Sequence, residues 1–250
     1  MRRMVITGGT SCIGLASAHR LARAPAAIVI NGRNTQRGAA ARDALMTAHP
    51  ATTVHFIAAD VSTQDGASRL FAEARSALGG PLDVLVNSAG GEFAPTLFHD
   101  NTLDMIDGAV RHWLLSTIYC CRLALPELAD GAAVVNVASD AAKVPTPGEA
   151  VIGAAMAGIT MFSRTFAMEA KRRGIRVNAV TPSLVGETIT HDRVMSTPFS
   201  AKLFEKATRA AHLGIPSPDE VAAIIAFLAS EEAAKITGQV ISVNGGISAG

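Results

Sequence analysis

The sequence predicts a single α/β domain built as a three-layer, doubly wound parallel sheet. Short apolar segments rich in Val or Ile recur along the 250 residues, and longer helical stretches separate them. Segments that are apolar throughout are typical of parallel strands buried on both faces. Strand, helix and strand in regular alternation indicate crossover connections within one sheet. A chain of this length suits one such domain.

Each predicted strand is short and lies between turn residues. The predicted strands are, in chain order, Met4–Thr7, Ala27–Asn31, Thr53–Ala58, Val84–Asn87, Ala132–Val137, Ile175–Val180 and Gln239–Val243. Ligands of such sheets bind at the carboxyl ends of the strands, near the point where the strand order reverses. We therefore expect the functional residues directly after these segments.

The predicted helices differ in how clearly they begin and end. Three helical stretches are Leu15–Ala24, Ala67–Leu78 and Ala150–Arg173, the last ending in cations that oppose the helix dipole. Ser217-Pro218-Asp219-Glu220 begins another helix with an N-cap, a proline at the first position and a capping box. Residues 184–213 are the least regular segment, and in this architecture we expect them to form a lid.

Composition narrows the function classes. The net charge is +1 and 17% of residues are charged, so nothing points to nucleic acid or a membrane surface. No apolar run approaches the length that spans a bilayer. The three cysteines, Cys12, Cys120 and Cys121, lack metal-ligand spacing. We expect a cytoplasmic protein without a metal site.

A glycine-rich turn follows the first strand, and further motifs follow later strands. The turn reads Thr7-Gly8-Gly9-Thr10-Ser11-Cys12-Ile13-Gly14, which suits backbone contact with a pyrophosphate. The later motifs are Asp60-Val61, Asn87-Ser88-Ala89-Gly90, Ile236–Val240 and Val243-Asn244-Gly245-Gly246. Together, in this order, they resemble the short-chain dehydrogenase/reductase family, most closely its 3-oxoacyl-acyl-carrier-protein reductase-like branch. The resemblance covers nearly the whole chain and implies a Rossmann-type fold.

The resemblance implies a nicotinamide nucleotide site. Gly8 and Gly14 would serve the pyrophosphate, Asp60 and Val61 the adenine, and Asn87 belongs to the motif after the fourth strand. Gly32 followed by Arg33 is similar to NADP-binding members, in which the arginine meets the 2′-phosphate. The alternative is that Arg33 is a solvated loop residue.

Three departures from the family pattern weaken this site. Cys12 replaces the middle glycine and puts a side chain where backbone meets phosphate. Ser183 replaces the glycine of the family's Pro-Gly after the sixth strand. The following threonine falls on Glu187, although a slip of one residue restores Thr188. We expect no nucleotide, or weakly bound NADP(H).

The family's catalytic groups are a serine, a tyrosine, a lysine four residues later, and an asparagine. The resemblance places the serine at Ser139. It places the tyrosine at Ile152, the lysine at Met156 and the asparagine at Trp113. Since these chemical groups work by general acid–base catalysis, apolar replacements predict a catalytically degenerate member with a closed or apolar cleft.

Other residues are weak substitutes. Tyr119 is expected to pack in a helix–helix seam, and Lys143 to be solvated. His191 is the best remaining acid–base candidate, although a lone loop histidine is usually exposed. Ser139 itself is expected to hydrogen-bond locally.

The oligomerisation surface looks retained. In the family, the helices corresponding to residues 103–128 and 150–173 pair with their counterparts in a second subunit, and here both stretches are apolar on more than one side. The leading hypothesis is a degenerate subunit that assembles with an active paralogue, or with itself, around an acyl substrate. The family includes such pairs for hydroxyacyl-CoA esters, among them 2-(hydroxybenzyl)succinyl-CoA dehydrogenase. The alternatives are a lyase, isomerase or cyclase, an NADP(H) sensor, and an atypical NADP-dependent oxidoreductase.

Overall fold

A computed structural model describes residues 1–91, 93–195 and 198–248 and places one parallel sheet at the centre of the chain. The sheet has seven strands in the order β3-β2-β1-β4-β5-β6-β7, and each neighbouring pair is parallel. The strands are β1 (Arg2–Thr7), β2 (Ala26–Gly32), β3 (Thr53–Ala58), β4 (Leu82–Asn87), β5 (Leu128–Val137), β6 (Arg176–Pro182) and β7 (Val240–Val243). The strand order reverses between β1 and β4, as the predicted doubly wound α/β fold requires.

Helices cover both faces of the sheet. They are α1 (Cys12–Leu21), α2 (Thr35–Ala48), α3 (Gln64–Leu78), α4 (Leu103–Ala109), α5 (Ser116–Ala124), α6 (Ala150–Ala170), α7 (Ile189–Met195), α8 (Pro198–Ala210) and α9 (Pro218–Ala229). A π-helical stretch, Val110–Leu115, joins α4 to α5.

Two hydrophobic cores lie on opposite faces of the sheet because successive strand side chains point in opposite directions. In β1, Val5 packs into the core formed with α3, α5 and the end of α6. Its neighbours Met4 and Ile6 pack into the other core, with α1 and α9. The strands are therefore apolar throughout, which is the pattern that predicted them.

The predicted ends of two helices are confirmed. In the capping box of α9, the Ser217 hydroxyl accepts a hydrogen bond from the Glu220 amide at 3.3 Å, and Glu220 Oε2 accepts one from the Ser217 amide at 2.8 Å. The cationic run Lys171–Arg173 forms a 3-10 turn after α6. Gly174 then ends the stretch in the left-handed region, at φ +67°.

Other boundaries differ from the prediction. α1 begins at Cys12 and ends at Leu21, rather than spanning Leu15–Ala24, because the glycine-rich turn leads directly into it. β5 begins at Leu128, since Leu128 pairs with Leu82 before the register shifts.

Residues 184–213 are more regular than predicted. They contain α7 and α8, while residues 196–197 lie outside the described part of the chain. On α8, Ser200 and Phe204 are buried and Phe199 is exposed, so one face of this amphipathic helix packs inward. Its role as a lid stays a prediction.

Contrary to the expectation from the sequence, the stretch Ala150–Arg173 is long and apolar enough to cross a membrane, by length and composition alone. Nearly half of it is buried in the fold, and Phe166 and Ala167 belong to one of the two cores. Such burial is typical of a core helix that packs against a sheet.

Candidate functional site

Two adjoining cavities open at the carboxyl ends of the strands. The larger, here the loop cavity, measures about 700 Å³ and lies among the glycine-rich turn, the residues after β2 and β3, and 88–91. The smaller, here the apolar cavity, measures about 210 Å³ and lies among Ser139, α6 and α7. Both are lined by Cys12, Ile13, Gly90, Gly91 and Val137, so they meet beside the start of α1.

The glycine-rich turn depends on close backbone packing. Gly8 has φ +63°, and a Cβ there would lie 2.5 Å from the Ser88 carbonyl oxygen. A Cβ on Gly14 would lie 2.3 Å from the Gly8 carbonyl oxygen. Gly8 lines the loop cavity, whereas Gly14, predicted as a cofactor contact, does not. The role of Gly14 is to let α1 pack against the turn.

Cys12 occupies the junction of the two cavities. Its φ is +48°, in the left-handed region that favours glycine, and its side chain is half-buried. Cys12 therefore lies where a dinucleotide that occupied both cavities would pass from one to the other.

Several predicted adenosine contacts line the loop cavity. Arg33, Asp60 and Val61 do so, together with Arg37 and His112, which sequence reasoning missed. Arg37 lies in the first turn of α2, four residues after Arg33, and this proximity was visible in the sequence.

Asp60 is held by its own loop. Its Oδ1 accepts hydrogen bonds from the Ser62 amide at 3.0 Å and the Ser62 hydroxyl at 2.7 Å. Partial burial raises the pKa of Asp60, but these bonds, with His112 and Arg33 nearby, outweigh burial and lower it. The carboxylate is thus an acceptor at neutral pH.

Asn87, predicted as a cofactor contact, does not line either cavity. It is buried, and its Nδ2 donates to Asn136 Oδ1 at 2.9 Å. Asn136 in turn donates to the Ser163 hydroxyl at 2.8 Å. Asn87 therefore joins β4, β5 and α6, which is a structural role.

The side chains aligned with the family's catalytic groups meet in the apolar cavity. Trp113, Ile152 and Met156 line it and pack together with Ala138 and Ile159. Met156 is 6% exposed. The described residues that line this cavity include neither a tyrosine nor a lysine. Of the residues that the family resemblance assigns to a nucleotide, those expected at the adenosine are therefore better kept than those expected at the nicotinamide.

Ser139 lines the apolar cavity beside these residues. Its hydroxyl accepts a hydrogen bond from the Ala141 amide at 3.3 Å and caps the 3-10 turn Asp140–Ala142. The expected local hydrogen bond is therefore present.

Of the other acid–base candidates, Tyr119 agrees with the prediction, whereas Lys143 and His191 differ from it. Tyr119 packs against the core on the α5 side, as expected. Lys143 is not solvated: its ammonium donates to the Ser242 hydroxyl and lies 3.8 Å from Asp140 Oδ1. His191 is not in a loop but on α7, where it lines the apolar cavity.

The sequence left two positions, Glu187 and Thr188, for the family threonine, and the structure places them differently. Thr188 is buried, lines the apolar cavity, and accepts a hydrogen bond from the His191 amide at 2.9 Å. Glu187 is exposed at φ +56° and lines neither cavity. Of the two, the structure favours Thr188.

Sequence reasoning also missed Glu149, which lines the apolar cavity. It lies at the N-cap of α6, three residues before Ile152. Burial raises the pKa of Glu149, the charge of Asp140 raises it further, and a hydrogen bond with Thr146 opposes the shift. In the sequence, Glu149, Ile152 and Met156 are spaced i, i+3 and i+7, and this spacing places them on one face of a helix.

No group of three or more His, Cys, Asp or Glu side chains within the described ranges is arranged to hold a metal ion.

A family model described as Enoyl-(Acyl carrier protein) reductase matches residues 8–248. The chain is 31% identical to a 3beta-hydroxysteroid dehydrogenase of Mediterraneibacter gnavus, over 97% of this chain and 93% of the relative. It is 32% identical to a 3-oxoacyl-[acyl-carrier-protein] reductase of Chlamydia muridarum, over 97% and 96%.

Solved structures also match this chain. A short-chain dehydrogenase/reductase from Brucella melitensis, titled glucose/ribitol dehydrogenase, superposes with a TM-score of 0.89 at 29% identity, over 100% of this chain and 97% of that chain. A dehydrogenase/reductase from Sinorhizobium meliloti gives a TM-score of 0.89 at 27% identity, over 99% and 95%. The chain belongs to the short-chain dehydrogenase/reductase family.

Proposed function

We propose that this chain is a catalytically degenerate subunit that assembles with an active paralogue of its family. The complex would be a cytoplasmic NAD(P)-dependent dehydrogenase of hydroxyacyl compounds, such as acyl-CoA esters. The observation that carries the proposal is the apolar cluster of Trp113, Ile152 and Met156, at the positions that the family resemblance assigns to proton-transfer groups.

The apolar cluster cannot transfer the substrate proton. Carbonyl reduction and alcohol oxidation need a group that gives or takes the substrate proton near neutral pH, and a neighbouring cation tunes a phenol for this. Isoleucine, methionine and tryptophan cannot do so. These apolar side chains instead pack together at the positions where, by the resemblance, an active reductase has its proton-transfer groups.

The loop cavity supports at most weak NADP(H) binding. Arg33 and Arg37 offer cations for a phosphate, and Asp60 offers an acceptor. Cys12, in contrast, lies at the junction of the two cavities, where close approach of a pyrophosphate favours glycine.

Exposed apolar side chains support docking of a second subunit. Leu103 on α4 is 83% exposed, and Met161 and Met168 on α6 are each more than half exposed. They lie within 103–128 and 150–173, the stretches proposed to pair with the paralogue. Pairing of these two stretches with a second subunit would bury apolar side chains that the isolated chain exposes.

The test is co-expression with an intact paralogue from the same genome, followed by native mass spectrometry. We expect a hetero-oligomer that Met161→Lys weakens. The control Met46→Lys, at a 45% exposed site on α2, should leave it unchanged. A chain that forms only homo-oligomers in the presence of every intact paralogue contradicts the proposal.

Activity separates the roles of the two subunits. In the complex, Tyr→Phe in the paralogue should abolish dehydrogenase activity, whereas Ser139→Ala in this chain should leave it within about twofold. Loss of activity with Ser139→Ala alone, in a complex that still assembles, would show that this chain takes part in the chemistry.

A second candidate is a non-redox enzyme, a lyase, isomerase or cyclase. It is favoured by Ser139 and His191, which line the same cavity. Turnover by the purified chain without nicotinamide, abolished by His191→Ala, would support this function over the first.

A further inference from the structure

Two histidine rings meet between the ends of α1 and α2. His19 lies in the last turn of α1, and His49 is the C-cap of α2, 30 residues later in the chain. Their nearest ring nitrogens, His19 Nδ1 and His49 Nε2, are 3.2 Å apart. The ring planes are tilted by 54°, with centroids 5.3 Å apart. Neither histidine lines the loop cavity or the apolar cavity, so the pair is separate from the site described above.

The backbone around His49 is fixed against the end of α1. The His49 amide donates to the Leu45 carbonyl at 2.9 Å, and the His49 carbonyl accepts from the Thr52 amide at 2.9 Å. Thr52 is buried, and its hydroxyl donates to the carbonyl of Ala22, the C-cap of α1, at 3.3 Å. The two histidines are therefore held near each other by backbone contacts, and not by their own rings alone.

The separation of the two nitrogens suits a shared metal ion. Zinc binds histidine nitrogens at about 2.0 to 2.1 Å in tetrahedral geometry, which puts two such nitrogens about 3.3 to 3.4 Å apart. The observed 3.2 Å agrees with this within the tolerance of about 0.2 Å expected of metal-site distances. A rotation of the rings that turns both lone pairs toward one point would complete the arrangement.

Both facing nitrogens must be free of protons to bind a metal ion. A neutral imidazole carries one proton, which either ring nitrogen can hold. In the hydrogen-bonded pair, one facing nitrogen holds its proton. With a metal ion, that proton moves to the outer nitrogen of the same ring, so two neutral histidines release no proton. Burial lowers the pKa of His19, and the neighbouring His49 lowers it further, which favours the neutral form at pH 7.

The position of the pair is favourable for a cation. The C-terminal end of a helix carries a partial negative charge, and here the C-terminal ends of α1 and α2 meet. The charge of Arg20, the residue after His19, is compensated, since its Nε donates to Asp219 Oδ1 at 2.7 Å. Both histidines are partly exposed, so water reaches the pair.

We propose that His19 Nδ1 and His49 Nε2 bind a late first-row divalent metal ion such as Zn²⁺. Imidazole suits Zn²⁺, Cu²⁺ and Ni²⁺, whereas Mg²⁺ and Ca²⁺ prefer oxygen ligands. The chain supplies two ligands rather than the four of a structural zinc site, and water takes the remaining positions. This inference goes beyond the proposed function, since it concerns the isolated chain and a part of the fold outside both cavities.

A metal ion bound to both histidines would join α1 to α2 and stabilise the fold, because the unfolded chain does not hold the two rings together. Half the binding free energy of a four-ligand structural zinc site corresponds to a dissociation constant on the order of 1 to 200 µM. An ion present at ten times its dissociation constant should raise the melting temperature of a domain of this size by about 3 to 6 °C.

Calorimetric titration of the purified full chain with ZnCl₂ at neutral pH tests the site, with thermal unfolding measured in parallel. We expect one saturable site in the range given above and a rise in melting temperature that EDTA reverses, while MgCl₂ gives no saturable heat. His19→Gln and His49→Gln should each weaken Zn²⁺ binding at least tenfold, because loss of a ligand's hydrogen-bond partner alone costs about 10- to 100-fold. Circular dichroism checks that each variant folds, and if one does not, the other decides.

His99→Gln is the matched control, since His99 is exposed and its Nε2 lies 3.4 Å from the carboxylate of Asp100. This variant should bind Zn²⁺ as the wild type does. No saturable heat in the wild type overturns the proposal. So does an unchanged affinity in a folded His19→Gln or His49→Gln, which would indicate an adventitious ion only. Neither result bears on subunit pairing, which the co-expression experiment tests separately.

Discussion

Met156→Lys restores the family's lysine in a cavity that has lost its other partners. The Met156 side chain is 6% exposed and packs with Trp113, Ile152 and Ile159. Glu149, the acidic residue on the same face of α6, lies seven residues earlier, about 10 Å along the helix axis. None of the described residues packed in this cluster carries a charge that could pair with the new ammonium group.

The expected cost follows from burying an unpaired charge. Such a charge destabilises a fold by about 3 to 4 kcal/mol. For a domain of this size, that lowers the melting temperature by about 10 °C. Because burial lowers the pKa of a lysine in the folded state, the unfolded chain binds more protons at neutral pH. The loss of stability in Met156→Lys should therefore shrink as pH rises toward the pKa of the lysine in the unfolded chain, at about 10.4.

Thermal unfolding followed by circular dichroism measures this effect, with urea titration for the free energy of unfolding. Met46→Lys is the matched control, since it makes the same substitution at an exposed site on α2 and should change stability by at most about 0.5 kcal/mol. If Met156→Lys is no more destabilising than this control at pH 7, water reaches the ammonium group in the cavity, and the expected cost of an unpaired buried charge is wrong.

Three further predictions follow from the site. Ile152→Tyr with Met156→Lys should not give an NADPH-dependent reductase, because Trp113 and Cys12 remain; substantial activity in a spectrophotometric NADPH assay would contradict this. Cys12→Gly should strengthen NADPH binding at least threefold by calorimetry, since it relieves the φ of +48° and opens the path between the cavities; unchanged affinity would count against a steric role. Glu149→Gln should raise the melting temperature at pH 8 but not at pH 4. Because the fold raises the pKa of Glu149, the wild type loses stability as pH rises above the pKa of this group in the unfolded chain. Equal shifts at both pH values would contradict the predicted burial of the charge.

Much of the fold was predictable because its signals are local. Apolar runs such as Val84–Asn87 identify strands that are buried on both faces, and Ser217 with Glu220 identifies the start of α9. The strand order was not predicted beyond a doubly wound parallel sheet, because crossover rules restrict the order without fixing it. The boundaries of α1 and β5 were missed because turn geometry and pairing decide them.

The site was only partly predictable because its environment is tertiary. That Ile152, Met156 and Trp113 share one cavity follows from the family resemblance. The contacts of Lys143 with Ser242, 99 residues away along the chain, do not follow from local sequence. The burial of Glu149 beside Asp140 likewise depends on α6 meeting the turn after β5, and only the spacing along α6 pointed to it.

The most direct test of the central claim is calorimetric titration of the purified chain with NADPH and with NADH. We expect no saturable heat for either nucleotide below millimolar concentration, because Cys12 lies at the junction of the cavities and apolar side chains line the cavity that a nicotinamide would enter. Micromolar binding of one nucleotide would contradict it and would favour a nucleotide sensor or an unusual oxidoreductase.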